Sequence, residues 1–416
     1  PTANVPLLLP LLESLVFDIG GILAATLLVI AAILFTTEKS TADHAAFLNG
    51  IAGHALDFDD VALRGHPSVV LVSAILPLAQ ELGSSGIEMM DAYIAGYETW
   101  AELVFREDDM HHMKGWHPTG VFGAIGAAAA CSSLRKLDQL SCVHAIGIAA
   151  SMGSGLMSNF GSMTKPLHVG RSAQAGVQAA KLAGLGFTAS IDTLEHPQGF
   201  LAALSPSGKV NLQRPIQGRS QNLYIQQFGL NIKKYPTCYY THRAIDALLD
   251  LLQVQTIALE KIDTIEVIMS KEHAIVLRNH DPKTALEAKF SIEFAMACAL
   301  VDSCVGLAQL TDESVLRPTI QGLMKKVRIR HSREYDPQAI GWAIHDQVVL
   351  HMFDGQAITS KEISYPQGHE KYPLMLHLIE QKFMDCLAAG NYRANAHQLF
   401  QNLCSLEVIS ARDLLN

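Results

Sequence analysis

Between Val69 and Gly184 small and aliphatic residues recur at helical spacing, over 69–83, 87–104, 119–134, 138–158 and 170–184. Ala and Gly are dense there, as in GAIGAAAA at 123–130, which lets helices approach one another closely. A chain built this way is committed to a helix-on-helix body, read here as running from about Ala42 to Leu204. The pattern breaks at SPSGKVNLQRPIQGRSQN (205–222), a polar stretch rich in Pro and Gly that reads as a surface loop. Beyond it the period shortens. Lys261–Met269 and Lys326–Arg330 read as strands, and QVVLHMFDGQAITSKEIS (347–364) carries a D-G turn between alternating runs. Helical patterns at 284–301 and 374–389 flank these strands. The expected architecture is α+β and mostly helical. A large all-α domain takes residues 1–231 and 372–416, and a smaller α+β lid takes 232–371.

Composition narrows the function classes. Of 416 residues 49% are hydrophobic and only 17% charged, below the roughly 25% of an average domain, so the interior is large. With 31 Lys+Arg against 40 Asp+Glu the net charge is -9, and no basic stripe exists to hold a nucleic acid. The seven cysteines are scattered, with no C-x-x-C pair, which predicts a reduced cytoplasmic protein without structural zinc or an iron–sulfur cluster. The uncharged run Ile19–Thr37 is long enough to span a bilayer, but no basic flank precedes it. It reads as a buried element, and no membrane partner is expected.

Four clusters could carry chemistry. In NGIAGHALDFDD (49–60), followed by RGHPS (64–68), Asn49, Gly53 and Asp57 would share one face of a helix, with His66 on a turn fixed by Pro67. A solvated acidic helix end is the plain alternative. Mg²⁺-diphosphate binding is another, but the D-D-x-x-D spacing and a second acidic cluster are lacking. In HHMKGWHPTG (111–120) His111, His112 and His117 invite a metal reading, yet no H-E-x-x-H accompanies them. His117 precedes a helix start, where an anionic ligand is welcome. In NFGSMTKPLHVGRSAQAG (159–176) the cations Lys165 and Arg171 flank His168 and suit a substrate with two or more carboxylates; the alternative is a basic surface patch. KKYPTCYYTHR (233–243) sets His242 ahead of a helix, with Lys233, Lys234 and Arg243 nearby. The shared theme, histidine plus a charge on a Gly/Pro turn at a helix start, suits acid–base chemistry on a polycarboxylate.

In order, NGIAGHALDFDD, RGHPS, GWHPTG, TKPLHVG, KKYPTCYYTH and AKFSIEFA (288–295) resemble the MmgE/PrpD family from about Ala42 nearly to the end of the chain. Members of that family dehydrate 2-methylcitrate, decarboxylate cis-aconitate or epimerise iminodisuccinate. The resemblance implies a homodimer of two-domain chains with the site in the cleft between domains, no cofactor and no metal. It places an acid–base and carboxylate-binding set on Asp57, His66, His117, Lys165 and His242, and the charge clusters themselves make Lys165, His168, Arg171 and Lys234 the candidate substrate-binding residues. Val61 and Phe294 stand where the decarboxylase pattern has hydroxyl-bearing residues, and DFDD stands where the dehydratase branch has DFND. Near the amino terminus FDIGGILAA (17–25) resembles a family element, but LLVIAAILFTTEKS replaces the polar loop and helix usual after it. The expected activity is a lyase eliminating a β-substituent from a di- or tricarboxylate. Epimerisation is the runner-up, and a catalytically inactive homologue the further alternative.

Overall fold

The computed structural model describes residues 40–216, 222–337, 341–392 and 395–414. The run Ile19–Thr37 and the FDIGGILAA element lie outside the described residues. The first unit contains α1 (Ala42–Ala55), α2 (Pro67–Leu82), α3 (Gly86–Val104), α4 (Pro118–Leu134), α5 (Gln139–Ala150) and α6 (Thr164–Gly184). α4 carries the GAIGAAAA run and is buried on nearly every side, with α2, α3, α5 and α6 packed around it. A helix apolar all round belongs in that central place. Among the described residues no helix is long and apolar enough to cross a membrane.

Local chemistry sets the helix ends. Ser85 and Glu88 form a capping box at the start of α3, and Gly83 closes α2 in the left-handed conformation. α5 stops at Ala150, short of the expected 158, because Gly153 and Gly155 come next and Gly155 takes φ 152°, outside helical space. α6 begins at Thr164, six residues earlier than the apolar pattern suggested, so the TKPLHVG motif is part of the helix.

The second unit holds a four-stranded sheet of β3 (Ile262–Met269), β4 (Val327–His331), β5 (Gln347–Met352) and β6 (Ala357–Thr359), in the order β4-β3-β5-β6. β3 and β4 are parallel, and the other two pairings are antiparallel. The expected hairpin is β5–β6, with Gly355 at φ 87° in its turn. α7 (His242–Val254) and α8 (Ile292–Asp302) pack with the sheet in one hydrophobic core. The helix expected over 284–301 is broken at Ser291, whose hydroxyl accepts from the Phe294 amide and starts α8 afresh. The chain then returns to the first core through α9 (Leu376–Ala389) and α10 (Ala396–Cys404). A two-residue ribbon, β1 (Asp60–Val61) against β2 (Asn231–Ile232), ties the loop after α1 to the crossover between the units.

Glycines let two of these helices meet closely. α1 and α6 meet at Gly50 and Gly170, where a Cβ on Gly50 would lie 2.7 Å from the Gly170 Cα, and a Cβ on Gly170 would collide with the Phe47 carbonyl. Gly170→Ala is therefore expected to cost about 1–3 kcal/mol in urea unfolding, the range for overpacking a tight interior. Gly322→Ala, at a helical position where no described residue lies within 4 Å of the added Cβ, is the control and should stay within about 0.5 kcal/mol or gain slightly.

Candidate active site

α1 ends before it reaches the acidic run. Asp57 lies two residues past the helix with φ 50°, so the expected face shared by Asn49, Gly53 and Asp57 does not form. Aspartate tolerates this left-handed backbone better than most residues. The turn aims the Asp57 carboxylate inward, while β1 carries Asp60 onto the ribbon. His66 and His117 are the N-cap residues of α2 and α4, each followed by proline at the first helical position. Neither side chain caps its own helix, so both imidazoles are left to face other groups beside helix amino ends, where anions are favoured. On α6, Lys165 and His168 are three apart and both buried, whereas Arg171 is exposed and donates to Gln174.

These elements bring one charged network together. Lys165 Nζ donates to Asp57 Oδ1 at 2.7 Å and lies 2.6 Å from His54 Nε2. An ammonium can only donate, so His54 Nε2 is the acceptor and His54 Nδ1–H donates to Asp59 Oδ2 at 2.8 Å. Lys233 Nζ reaches both the Asp57 carbonyl and its Oδ2, each at 2.9 Å. Lys382 Nζ in turn donates to the Lys233 carbonyl at 2.7 Å. His66 Nδ1 sits 2.7 Å from the Asp60 carbonyl, which can only accept, so its Nε2 carries the lone pair. His117 Nδ1 meets His168 Nδ1 at 3.1 Å, and His117 Nε2 is buried without a hydrogen-bond partner among the described residues. The Phe160 and Phe290 rings each lie 5.3 Å from the Lys165 ammonium.

Burial and neighbours fix the protonation states. Burial alone would raise the Asp57 carboxyl, but Lys165 and Lys233 hold it well below the ordinary range. Asp59 is lowered too, its burial outweighed by His54 and His66. Burial depresses His66 and His117 strongly, with Lys165 adding to the effect on both and Asp59 opposing it at His66. Both imidazoles are thus neutral at physiological pH. Burial also brings Lys289, whose Nζ donates to the Ala55 carbonyl at 2.7 Å, down to about 8. Asp60 goes the other way: burial and the Asp59 charge raise it to about 7.

A cavity of about 480 Å³ opens on this network and is walled by both units. Asp57, His66, His117 and Lys165 line it, with Lys233, Cys238, Tyr239 and Phe290 from the far side. His168 stands behind His117 rather than in the wall. His242 is fully buried beneath Tyr235 and Tyr239, its Nε2 3.4 Å from the Thr237 carbonyl, and the structure does not bring it to the cavity. Arg171 and Lys234 are also outside the wall; Lys234 pairs with Asp246 at 3.4 Å. Three residues that matter here were not singled out from sequence as site members: His54, Asp59 and Lys233. Their signal was present, since His54 stands three before Asp57 and Lys233 opens the KKYP block. Val61 lines the cavity, but Phe294 is buried in the second core, so its missing hydroxyl is not lost from the cavity. Asp59 and Asp60 face His54 and Ser68 rather than the cavity, which leaves no open acidic cluster for a diphosphate-bound cation. Donor atoms of His54, His66 and His117, and those of His54, Asp57, Asp59 and His66, lie within 4.8 Å of one another.

Comparison with known proteins adds a second line. Residues 28–213 match the MmgE/PrpD N-terminal domain, and residues 235–403 the MmgE/PrpD C-terminal domain. A cis-aconitate decarboxylase of Mus musculus is 28% identical over 372 residues, covering 86% of this chain and 72% of the relative. The Homo sapiens enzyme of that name is 28% identical over 370 residues, with 86% and 73% covered. One from Aspergillus terreus is 25% identical over 350 residues, with 78% and 70% covered.

The state of Asp60 has a consequence for stability. Its carboxyl titrates near 3.8 when unperturbed and at about 7 in the fold, so between those values the folded protein binds more protons than the unfolded chain. Stability from this group must then fall as pH rises from about 4 to 7. Asp60→Asn removes the slope and can keep the acceptor for the Ser68 hydroxyl, now 2.9 Å from Asp60 Oδ2. Urea unfolding at pH 5 and pH 8 should show the variant gaining on wild type at the higher pH. An unchanged difference would mean that Asp60 is ionised in the fold.

Proposed function

This chain belongs to the MmgE/PrpD family, and we propose that it is a cofactor-independent lyase acting on a di- or tricarboxylate. The observation that carries this reading is the pairing, in one cavity, of two neutral imidazoles with a doubly anchored lysine ammonium. A proton on carbon beside a carboxylate is weakly acidic. Its removal needs a base of matched strength and a cation where the enolate charge develops. His66 Nε2, its lone pair set by the Asp60 carbonyl, takes the proton. Lys165 spends two N–H groups on His54 and Asp57 and keeps the third for the enolate oxygen. Lys233 and Asp57 hold that ammonium in place, and the amino ends of α2 and α4 favour the remaining carboxylates. Collapse of the enolate expels the β-hydroxyl, which leaves as water with the proton that His66 Nε2 took and now returns, and the product is an alkene. His242 then has no contact with substrate and packs beneath Tyr239.

Decarboxylation is a second reading, favoured by the names of the relatives. There the carboxylate leaves as CO₂, its bonding electron pair stays on carbon, and a proton taken from solvent and relayed by an imidazole quenches it. The same groups would serve epimerisation, with the proton returned to the opposite face. A homodimer belongs to this proposal through the family resemblance.

Proton NMR in D₂O with a panel of di- and tricarboxylates separates the outcomes. Alkene with water loss supports elimination, release of CO₂ supports decarboxylation, and deuterium exchange without alkene supports epimerisation. None of the three with any member of the panel would overturn the proposal. Lys165→Met should lower kcat/KM by about 10²–10³, the range for one electrostatic stabiliser. Lys181→Met, at an exposed position late on the same helix, should stay within about twofold, as surface changes away from such features do.

A further inference from the structure

The groups around the Lys165 ammonium share a property that proton transfer alone does not require. Each of the three imidazoles is held from behind. His54 Nδ1 is engaged by Asp59 at 2.8 Å, His66 Nδ1 by the Asp60 carbonyl at 2.7 Å, and His117 Nδ1 by His168 at 3.1 Å. Every ring is therefore left with Nε2 for another partner. Metal-ligating histidines are oriented in this way, by a carboxylate, carbonyl or other polar group on the second nitrogen.

Spacing points the same way. One donor atom from each of His54, His66 and His117 lies within 4.8 Å of the others. Asp57 Oδ1 stands 3.6 Å from His54 Nε2 and 3.9 Å from His66 Nε2. Bonds of about 2.0–2.1 Å to a tetrahedral zinc ion put its ligands roughly 3.4 Å apart, so Asp57 already stands near that spacing from His54 and His66, and the three imidazoles need to close by about 1.4 Å at most. Among the described residues His117 Nε2 is already buried with no hydrogen-bond partner. The place such an ion would take holds a cation of another kind, since Lys165 Nζ is 2.6 Å from His54 Nε2 and 2.7 Å from Asp57 Oδ1.

We propose that His54, His66, His117 and Asp57 form a site for a divalent cation of the zinc class, mutually exclusive with the seated Lys165 ammonium. The ion inhibits the enzyme by taking the lysine's place. This goes beyond the lyase reading, because the cage binds the ion whether or not a substrate is ever identified. Imidazole and carboxylate donors in a closed shell suit Zn²⁺ or Co²⁺ and not Mg²⁺, which prefers an oxygen shell with several waters.

The test is binding, followed independently of turnover. The full chain, stripped with EDTA, is titrated with Zn²⁺ in a calorimeter and with Co²⁺ by visible absorption. One equivalent should bind, with the ligand-field bands of four-coordinate Co²⁺. Lys165→Met should bind Zn²⁺ at least about tenfold more tightly, as expected when a competing unit charge a few ångströms away is removed. Asp59→Asn should weaken binding by about 10–100-fold, the usual effect of losing an outer partner of a ligating histidine. Combining His66→Ala with His117→Ala should abolish the Co²⁺ bands. Because histidine losses can unfold a buried site, the gain of affinity in Lys165→Met is a separate readout that requires no loss of structure. Absence of stoichiometric Zn²⁺ binding by Lys165→Met would overturn the proposal. Binding that survives the double histidine change in a folded protein would do the same.

Discussion

The carboxylate of Asp57, clasped by Lys165 on one oxygen and Lys233 on the other, is the interaction on which the rest of the site depends. All three groups are almost wholly withdrawn from water. Breaking such a buried arrangement by removing one partner costs on the order of 3–5 kcal/mol, because the survivors remain buried and uncompensated. The local structure keeps that from happening. The left-handed turn at Asp57 ends α1 and points its carboxylate at α6, the Gly50–Gly170 contact lets α6 come close enough to present Lys165, and the β1–β2 ribbon carries Lys233 in from the other unit. Lys382 then fixes the Lys233 backbone from behind.

The division of labour among the imidazoles comes from what each ring's outer nitrogen touches. A carbonyl behind His66 fixes an N–H there and a lone pair on the cavity side. At His54 the Asp59 carboxylate does the same, and the exposed nitrogen accepts from Lys165. The desolvation that keeps these rings neutral also strengthens the lysine's field on anything bound beside it. Base and electrostatic stabiliser thus gain from the same dry setting, and a cage of neutral imidazoles and one carboxylate is electron-rich enough to need a cation at its centre.

Much of the fold was legible in the sequence because each element satisfied local rules. The helices of the first unit matched their small-residue periodicity, β3 to β6 matched alternation and the D-G turn, and the two His-Pro pairs marked helix starts at His66 and His117. What stayed hidden was set by backbone exceptions and by tertiary placement. Helical periodicity cannot say that α1 stops at Ala55, so Asp57 was read onto a helical face it does not share. Neither of two adjacent lysines is favoured by composition. The fold alone sends Lys233 inward to Asp57 and leaves Lys234 outside the cavity, paired with Asp246. His242 starts α7 much as His117 starts α4, yet the tyrosines around it close off the cavity.

That last contrast shows why the site had to be shared between the two units. Asp57, His66, His117 and Lys165 are supplied by the helical body, but on their own they would face open water, where Lys165 and Asp57 attract each other by only about 1 kcal/mol. Lys233, Tyr239 and Phe290 come from the other unit and shut the water out. Phe160 makes the junction: it leaves the first unit to join the second core, packs on Phe290 with ring centroids 5.4 Å apart, and meets the His117 ring at 4.9 Å. A residue that comes from the first unit, packs in the second core and lies against both an imidazole and the ammonium couples docking of the units to the electrostatics of the cavity. Loosening that contact would raise the local dielectric before it displaced any charged side chain, so the chemistry would weaken while the fold still stood.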